Sequence, residues 1–402
     1  MNVVSPSSVE IVIPLPKVVE PEVASDIEKE SVYVSPFLER LVVEPDLASV
    51  RAVLKANAPL EEVQDKATRF LDTMCKAITG YNVKVFYENT RKDEGEYETD
   101  SNLKLADAGW LHEYGRGQVA YSGPVLELAR LINRKAGEIY TDKLGATDGH
   151  FPALVDADTL KQAGYIDSHP NAVTFIGNVL EDFDAIEEFR VANSCSEGAL
   201  LPPLEHVHVD TMCLNPAACI PCYPTLTGKK IESGECHSWL GRVFRYESRN
   251  ISGLERLYEF NVRELVFVGD EAFAQQSREK SLEAVEELIE FFDLDAVIQT
   301  ATDPFFATVS AARKFWQQAQ EVKNEIQIPV AQPDGSKKSM ACGSINLHGN
   351  FFGTQFDIQC ANGEPANTGC VGLGIERWVL ACFSQHSLDP SRWPSEVRDQ
   401  IF

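Results

Sequence analysis

Long apolar runs are missing from this chain. None reaches the roughly 18 residues that a membrane-spanning helix needs, so no membrane association is expected. Met1 to Glu22 carries scattered Pro and Glu and no basic segment ahead of an apolar core, so it does not read as a signal peptide. Basic residues are scarce: 36 Lys and Arg stand against 61 Asp and Glu, a formal net charge of −25. Nucleic-acid binders normally carry a basic face, and a field this negative repels tRNA or DNA unless a local patch intervenes. Solubility alone is the other reading of that acidity. There is no GxGxxG fingerprint, no P-loop and no internal repeat, which removes the two commonest phosphate cradles. Ten cysteines are present, but none precedes Cys75 and their spacing is irregular. Disulfides are therefore not expected, and a reducing, cytoplasmic compartment is.

What remains is a chain of 402 residues, 44% hydrophobic, able to bury a full core with room for a second small module. Residues 1 to about 30, rich in Val, Pro and Glu, lack helical period and read as flexible or extended. From Leu60, the spacing of Val63, Ala67, Phe70, Leu71, Met74 and Ile78 predicts a helix. Glu88 to Asp107 is charged and polar around Asp93-Glu94-Gly95-Glu96 and reads as a loop or linker. This places a boundary between an extension, residues 1–112, and a main unit, residues 113–402.

Within the main unit, Ser122-Gly123-Pro124 opens a helix through Leu128, Leu131, Ile132 and Ile139. Arg242 to Glu247 and Glu264 to Gly269 read as strands, and Leu282, Val285, Leu288, Ile289 and Phe292 as one face of a helix. Pro333-Asp334-Gly335 signals a turn between strands Ile326 to Val330 and Met340 to Leu347. Strands and helices mix without strand-helix-strand alternation, so the expected class is α+β with an antiparallel sheet.

Four segments carry chemistry. In Val243-Phe244-Arg245-Tyr246-Glu247, strand geometry would put Arg245 and Glu247 on one face, suited to phosphate and to an amine donor, though spacing alone favours a surface cross-strand ion pair. Asn215 to Pro224 contains one C-x-x-C, Cys219 and Cys222, with no second pair to close a four-cysteine zinc site. One of these thiolates with Cys370 and a carboxylate would make an open three-ligand site; two buried structural cysteines are the alternative. Glu264 opens an apolar run where an unpaired carboxylate is costly, so it needs a metal or a basic partner such as Arg263. Asn362 to Trp378 sets Cys370 shortly before Arg377 in an apolar segment that reads as a helix. His206 and His208, and likewise His237 and His348, lack metal-like surroundings and read as structural.

Together these segments resemble class II aminoacyl-tRNA synthetases of the atypical zinc-dependent seryl type. They are closer still to the amino acid:[carrier protein] ligases, truncated homologues of those enzymes. The resemblance spans about residues 113 to 402. Phe244-Arg245-Tyr246-Glu247 is similar to the second signature motif and Gly372-Leu373-Gly374-Ile375-Glu376-Arg377 to the third. Asn215 to Pro224, Leu257 to Gly269, Ala301 to Phe306, Ala361 to Cys370 and Trp393 to Ile401 also resemble family segments.

The resemblance implies a class II synthetase-like antiparallel sheet flanked by helices and a homodimer, with Phe151-Pro152 near the subunit contact. It implies zinc on Cys219, Glu264 and Cys370, Cys219 being favoured over Cys222 by its Pro-Ala-Ala-Cys setting. ATP with Mg2+ would meet Arg245 at the α-phosphate, Glu247 at the adenine amine and Arg377 at the γ-phosphate. Arg256, Leu257 and the stretch Ala341, Cys342, Gly343 and Ser344 would line the same pocket. The activity implied is formation of an aminoacyl-adenylate, followed by transfer to the phosphopantetheine thiol of an acyl carrier protein. Three other roles stay open: a tRNA-aminoacylating enzyme, disfavoured by the charge; a retired synthetase with a regulatory binding role; and a purely structural zinc protein, which would explain the cysteines but not the arginines. The extension is longer than those ligases possess, and the amino acid and carrier are not legible.

Overall fold

The protein is represented by a computed structural model describing residues 8–76, 83–93, 95–194, 204–248, 250–300 and 323–402. The predicted segment Ala301 to Phe306 lies outside the described residues, as does Ile78.

From Ser8 onward the N-terminal stretch is extended, as one of the two sequence readings had it, but Pro21–Glu30 forms a helix that the lack of helical period did not predict. Strand β1 (Val9–Pro14) pairs antiparallel with β3 (Ser49–Leu54), which also pairs with β2 (Leu38–Val43). Helices α1 (Pro21–Glu30) and α2 (Leu60–Lys76) pack on this sheet. Ile13, Ile27, Leu38, Leu41, Ala52, Val63 and Leu71 form a separate small core. The alternation Val9, Ile11, Ile13 is a strand signal whose partner lies some 40 residues on, which local reading does not supply.

Glu88 to Asp107 is a loop only between two regular elements that tie it to the main unit. Strand β4 (Val85–Asn89) is the edge of an eight-stranded sheet, and helix α3 (Ser101–Asp107) buries Leu105 in the main core. Two of the charges here are matched: Asp93 accepts from Arg392 Nη2 at 2.9 Å, and Arg91 is buried between Asp93 and Asp295.

A hairpin of β5 (Leu111–Gly115) and β6 (Gln118–Tyr121) leads into α4 (Gly123–Leu144), started by Pro124 and stopped by Gly145 at φ 65. After β7 (Thr147–Asp148), strands β8 (Leu154–Asp156), β9 (Thr174–Val179) and β10 (Val207–Leu214) form a three-stranded sheet. Helices α5 (Ala157–Gln162), α6 (Tyr165–Ser168) and α7 (Phe183–Ser194) lie between its strands in the chain. Then follow α8 (Cys222–Leu226), β11 (Lys230–Ile231), β12 (Glu235–Phe244), β13 (Glu259–Gly269) and α9 (Glu271–Phe292), capped by the Asp270 carboxylate on Phe273 N. The remainder comprises β14 (Ala296–Thr300), β15 (Lys323–Ala331), β16 (Lys337–Gly349), α10 (Phe351–Gln355), β17 (Gln359–Cys360), β18 (Asn367–Gly374), α11 (Ile375–His386) and α12 (Ser395–Ile401).

The large sheet runs β4-β14-β15-β16-β18-β13-β12-β7, antiparallel except for the short β12–β7 pair. Its two faces differ because alternate residues divide between them. Leu265, Phe267, Ile345, Leu347, Val371 and Leu373 pack under α4, α9 and α11 in the main core. Val266, Val268, Trp239 and Cys370 face the other way, towards Tyr223, Phe352 and Phe356. This is an α+β architecture built on a mostly antiparallel sheet, as the sequence predicts. Among the described residues no helix is long and apolar enough to cross a membrane.

Candidate active site

Three strands carry the floor of the site. Glu264 on β13 stands opposite Gly372 on β18, which stands opposite Ser344 on β16. One step along, Val266, Cys370 and Asn346 are in register. All project to the face away from the three covering helices. Cys370 is therefore a strand residue, and the helix expected around it begins only at Ile375. The run of small residues Gly369, Gly372 and Gly374 suits a crowded central strand next to the site.

Above this floor the segment before α8 brings in Cys219. Its ligand atom and those of Glu264 and Cys370 all lie within 4.8 Å of one another. Among the described residues this is the only such cluster. Cys222 is not part of it: its thiol is sealed in the core beside Tyr223, and burial pushes its pKa up to about 12. The nine described cysteines are free thiols.

The donor set fits a metal. Glu264 is a buried carboxyl, 4% exposed, whose pKa burial and the neighbouring Cys370 raise well above the ordinary range. Cys370 is raised too, first by its hydrogen bond with Cys219 and then by burial. A divalent ion in the cluster would reverse both of these shifts. Two thiolates and one carboxylate leave a further coordination position open, as in substrate-binding zinc sites.

His348, which sequence reading set aside as structural, lies directly behind this cluster. Its Nε2 is 3.7 Å from Cys370 Sγ, and its Nδ1 faces Thr368 Oγ1 at 3.2 Å and Tyr223 OH at 3.4 Å. Burial lowers its pKa to about 3, so the ring is neutral. Asn346 Nδ2 approaches the same sulfur at 3.5 Å. By contrast His206 meets Glu188 and His237 meets Glu235.

Beside the cluster three guanidinium groups converge. Arg245 lies just beyond the end of β12 at Phe244, so the single-strand reading of Arg245 and Glu247 does not hold. Both belong to the connection from β12 to β13. Arg245 Nε donates to Pro216 O at 2.9 Å, and its cationic carbon stands 5.6 Å from the Phe260 ring centre. Glu247 Oε2 pairs with Arg256 Nη1 at 3.0 Å. Arg377, in the first turn of α11, donates from Nε to Glu255 O and from Nη1 to Ala341 O, both at 2.7 Å. Burial and the charges of Arg256 and Arg245 lower the Arg377 pKa. Among the described residues only Arg256 of the three is in an ion pair.

The other implied pocket residues take part unevenly. Ala341 meets Arg377 through its carbonyl, and Ser344 Oγ accepts from Asn346. Leu257 and Cys342 turn their side chains into the main core, leaving backbone as what they offer the pocket. A Cβ at Gly343 would meet Ile326 and Leu373, so this residue also faces the core side.

Several pocket residues had no signal in the sequence. The Tyr165 hydroxyl bonds Arg245, and the His169 ring stacks on Tyr165 at 5.2 Å. Burial, then Arg245 and Lys323, lowers the His169 pKa to about 4. Lys323 Nζ pairs with Glu325 at 3.0 Å on the strand next to Ser344. These residues sit in short, unremarked segments far in sequence from the motifs they touch.

Residues 205–386 match the family model described as the tRNA synthetase class II core domain (G, H, P, S and T). The chain is 32% identical over 276 residues to amino acid–[acyl-carrier-protein] ligase 1 of Bradyrhizobium diazoefficiens, covering 67% of this chain and 81% of that protein. It is 26% identical over 324 residues to the type-2 serine–tRNA ligase of Methanopyrus kandleri, covering 77% of this chain but 61% of that longer protein. The crystal structure of M. kandleri SerRS in complex with A. aeolicus tRNASec shares the fold, with a TM-score of 0.72 at 23% identity over 98% of this chain and 77% of that one. With two thirds of its length aligned at this identity and a class II core at its centre, the chain belongs to the amino acid–[acyl-carrier-protein] ligase family.

Proposed function

We propose that this protein is an ATP-dependent, AMP-forming amino acid:[carrier protein] ligase. The observation that carries the reading is the convergence of Arg245, Arg256 and Arg377 beside the Cys219–Glu264–Cys370 cluster. Three cations with one carboxylate partner among them suit a polyphosphate, and a neighbouring open metal position suits a small molecule with a free amine.

In the first step a carboxylate oxygen of the amino acid attacks the α-phosphorus of ATP. The bond to the β-phosphate oxygen breaks, giving aminoacyl-adenylate and pyrophosphate. Catalysis here is positioning and charge neutralisation, with no covalent protein nucleophile. Arg245 holds the α-phosphate and the reacting carboxylate, Arg377 the γ-phosphate, and Glu247 accepts from the adenine amine. Arg256 keeps Glu247 in place, while the backbone of Leu257 and of Ala341 to Gly343, with Ser344, lines the pocket. Mg2+ accompanies the triphosphate. Zn2+, one per subunit on Cys219, Glu264 and Cys370, supplies a Lewis-acid position for the α-amino group. In the second step the phosphopantetheine sulfur of a carrier protein attacks the acyl carbon, AMP leaves with the P–O bond intact, and the thiol proton passes to solvent.

The amino acid is proposed to be small, the enzyme a cytoplasmic homodimer, and its catalytic unit residues 113–402, joined at the sheet edge by β4. The Phe151 ring packs on Trp239 at 4.2 Å, which holds the Phe151-Pro152 segment against the sheet beside β7. Aminoacylation of tRNA is the second reading, favoured by the fold shared with M. kandleri SerRS along nearly the whole chain. The net charge of −25 weighs against it.

Amino-acid-dependent ATP–pyrophosphate exchange, screened over the twenty amino acids with zinc present, tests the first step. Acid-stable but thiol-labile aminoacylation of a phosphopantetheinylated carrier tests the second. Exchange followed by loading of tRNA alone would replace the carrier reading, and no exchange from a zinc-loaded protein would overturn the enzyme.

A further inference from the structure

The small N-terminal module built on β1, β2, β3, α1 and α2 has no role in the reaction just described, yet one corner of it reaches the nucleotide loop. The corner is the turn that follows α1. Ser31 Oγ donates to Glu28 O at 2.6 Å, Val34 N to Ser31 O at 3.1 Å, and Val43 N on β2 to Glu28 Oε1 at 2.8 Å. Ile27 and Ser31 are buried. This turn is thus fixed to the small core around β1, β2 and β3, and its geometry depends on that core being folded.

Two bonds cross from this corner to the β12–β13 connection. Tyr33 OH donates to Tyr246 O at 3.1 Å, and Asn250 Nδ2 donates to Lys29 O at 2.9 Å. The anchored positions, 246 and 250, straddle Glu247. The intervening loop also uses its own bond, Asn250 N to Glu247 O at 2.9 Å, and Ser248 at φ 52. A non-glycine residue in the left-handed region carries strain that surrounding contacts must hold. The Tyr33 hydroxyl also bonds the Asn171 side chain, and lies close enough to Glu247 and Arg256 for both charges to act on it. Elsewhere the same connection is held by Arg377 on Glu255 O, by Asn102 Oδ1 on Leu254 N at 3.0 Å, and by Gly117 O on Tyr258 N at 3.0 Å. Those contacts secure its second half, residues 254 to 258. In the first half Arg245 is held by Pro216 O, and the two positions either side of Glu247 are gripped by the N-terminal module through the bonds at Tyr246 and Asn250.

We propose that the N-terminal module acts in cis as a clamp on the nucleotide loop, with Tyr33 and the Lys29 carbonyl as positioning groups that set Glu247 and Arg256 for the adenosine of ATP. The inference rests on the ATP-binding reading above for what the loop does, but the clamp itself is a contact that can be measured without substrate. Tyr33 does not touch the reacting atoms; it acts through Tyr246 and Glu247. A ring without the hydroxyl should keep the packing of the corner and release the loop.

The test compares the full chain with its Tyr33→Phe and Asn250→Ala variants. Hydrogen exchange is read for residues 245–258 in the nucleotide-free protein, and KM for ATP and for the amino acid in pyrophosphate exchange. The expected result is faster exchange confined to the first half of the loop in both variants. With it comes a rise of about three- to tenfold in KM for ATP, the scale of one lost hydrogen bond, with KM for the amino acid unchanged. Loop exchange and ATP KM equal to wild type in both variants overturn the clamp. So does a uniform loss of protection along the chain, which would make Tyr33 a stabilising contact and nothing more. If the wild type showed no ATP-dependent activity the ligase reading would fall, while the exchange data would still decide whether the extension holds the loop.

Discussion

Glu264 leans over Gly372, its direct cross-strand partner, and the glycine is what gives the carboxylate room. A Cβ built at Gly372 would come within 3.1 Å of Glu264 Oε2. That approach is tight enough to push the carboxylate a few tenths of an ångström out of the cluster with Cys219 and Cys370. Gly372→Ala is accordingly expected to weaken metal binding about tenfold, the range seen when groups supporting a ligand are altered. Competition with a chromophoric chelator measures it; an unchanged affinity would mean the carboxylate does not need that position.

The two cysteines of the C-x-x-C should separate cleanly. Cys219→Ala is expected to abolish stoichiometric zinc, since it removes one of three ligand groups. Cys222→Ala should retain zinc and lose about 1 kcal/mol of stability through the small cavity it leaves beside Tyr223. Metal content by atomic absorption and urea denaturation read the two effects independently.

Removing zinc from the wild type should stop pyrophosphate exchange and leave the fold. The main core under α4, α9 and α11 lies on the opposite face of the sheet and does not depend on the cluster. Far-ultraviolet dichroism before and after chelation should superimpose. Global unfolding on chelation would make the metal structural.

Arg377→Lys keeps a charge but loses the fork that ties Glu255 O to Ala341 O. We expect a fall of about 100-fold in kcat/KM for ATP, comparable to removing one preorganised donor from a transition state. A loss below about threefold would show that the charge alone suffices.

His386 carries a pH dependence whose sign can be worked out. It is fully buried; its Nε2 meets Phe292 O at 2.9 Å, and among the described residues its Nδ1 has no partner. Nε2 therefore donates and Nδ1 stays bare, so burial lowers the pKa below the ordinary 6.5. As pH falls, the unfolded chain takes up this proton before the folded one does. The contribution is complete above the ordinary histidine value and is lost as pH drops towards the folded one. Urea midpoints between about pH 7 and pH 5 should decline less steeply in His386→Gln, by up to about 1.4 kcal/mol per pH unit. Parallel slopes for the two proteins would count against a neutral buried ring.

The strands and helices of the main unit were largely readable because each carries its own period. Leu282 to Phe292 marks one helix face, and Pro333-Asp334-Gly335 marks the turn between β15 and β16. Segments failed to read where the partner is remote. Val9 to Ile13 needs Val50 to Leu54 to become a strand, and Phe86-Tyr87 needs β14. Cys370 was misplaced on a helix because a glycine-rich central strand and a helix start share a composition, and only its register with Val266 and Asn346 separates them.

By itself the sequence determined the chemical inventory: a strongly acidic chain with no apolar run long enough to span a membrane as a helix, with signature arginines and with thiols beside glycines. The sheet register decided which of these meet. Cys219, Glu264 and Cys370, spread along the chain, come within 4.8 Å because two are on neighbouring strands and the third on a loop folded over them. Tyr165 and His169 beside Arg245, His348 behind Cys370, and Tyr33 against the Glu247 loop are outcomes of packing alone. The reason is physical: periodicity and residue type are local properties, whereas a site is a set of distances between residues far apart in the chain, and only the buried core fixes those.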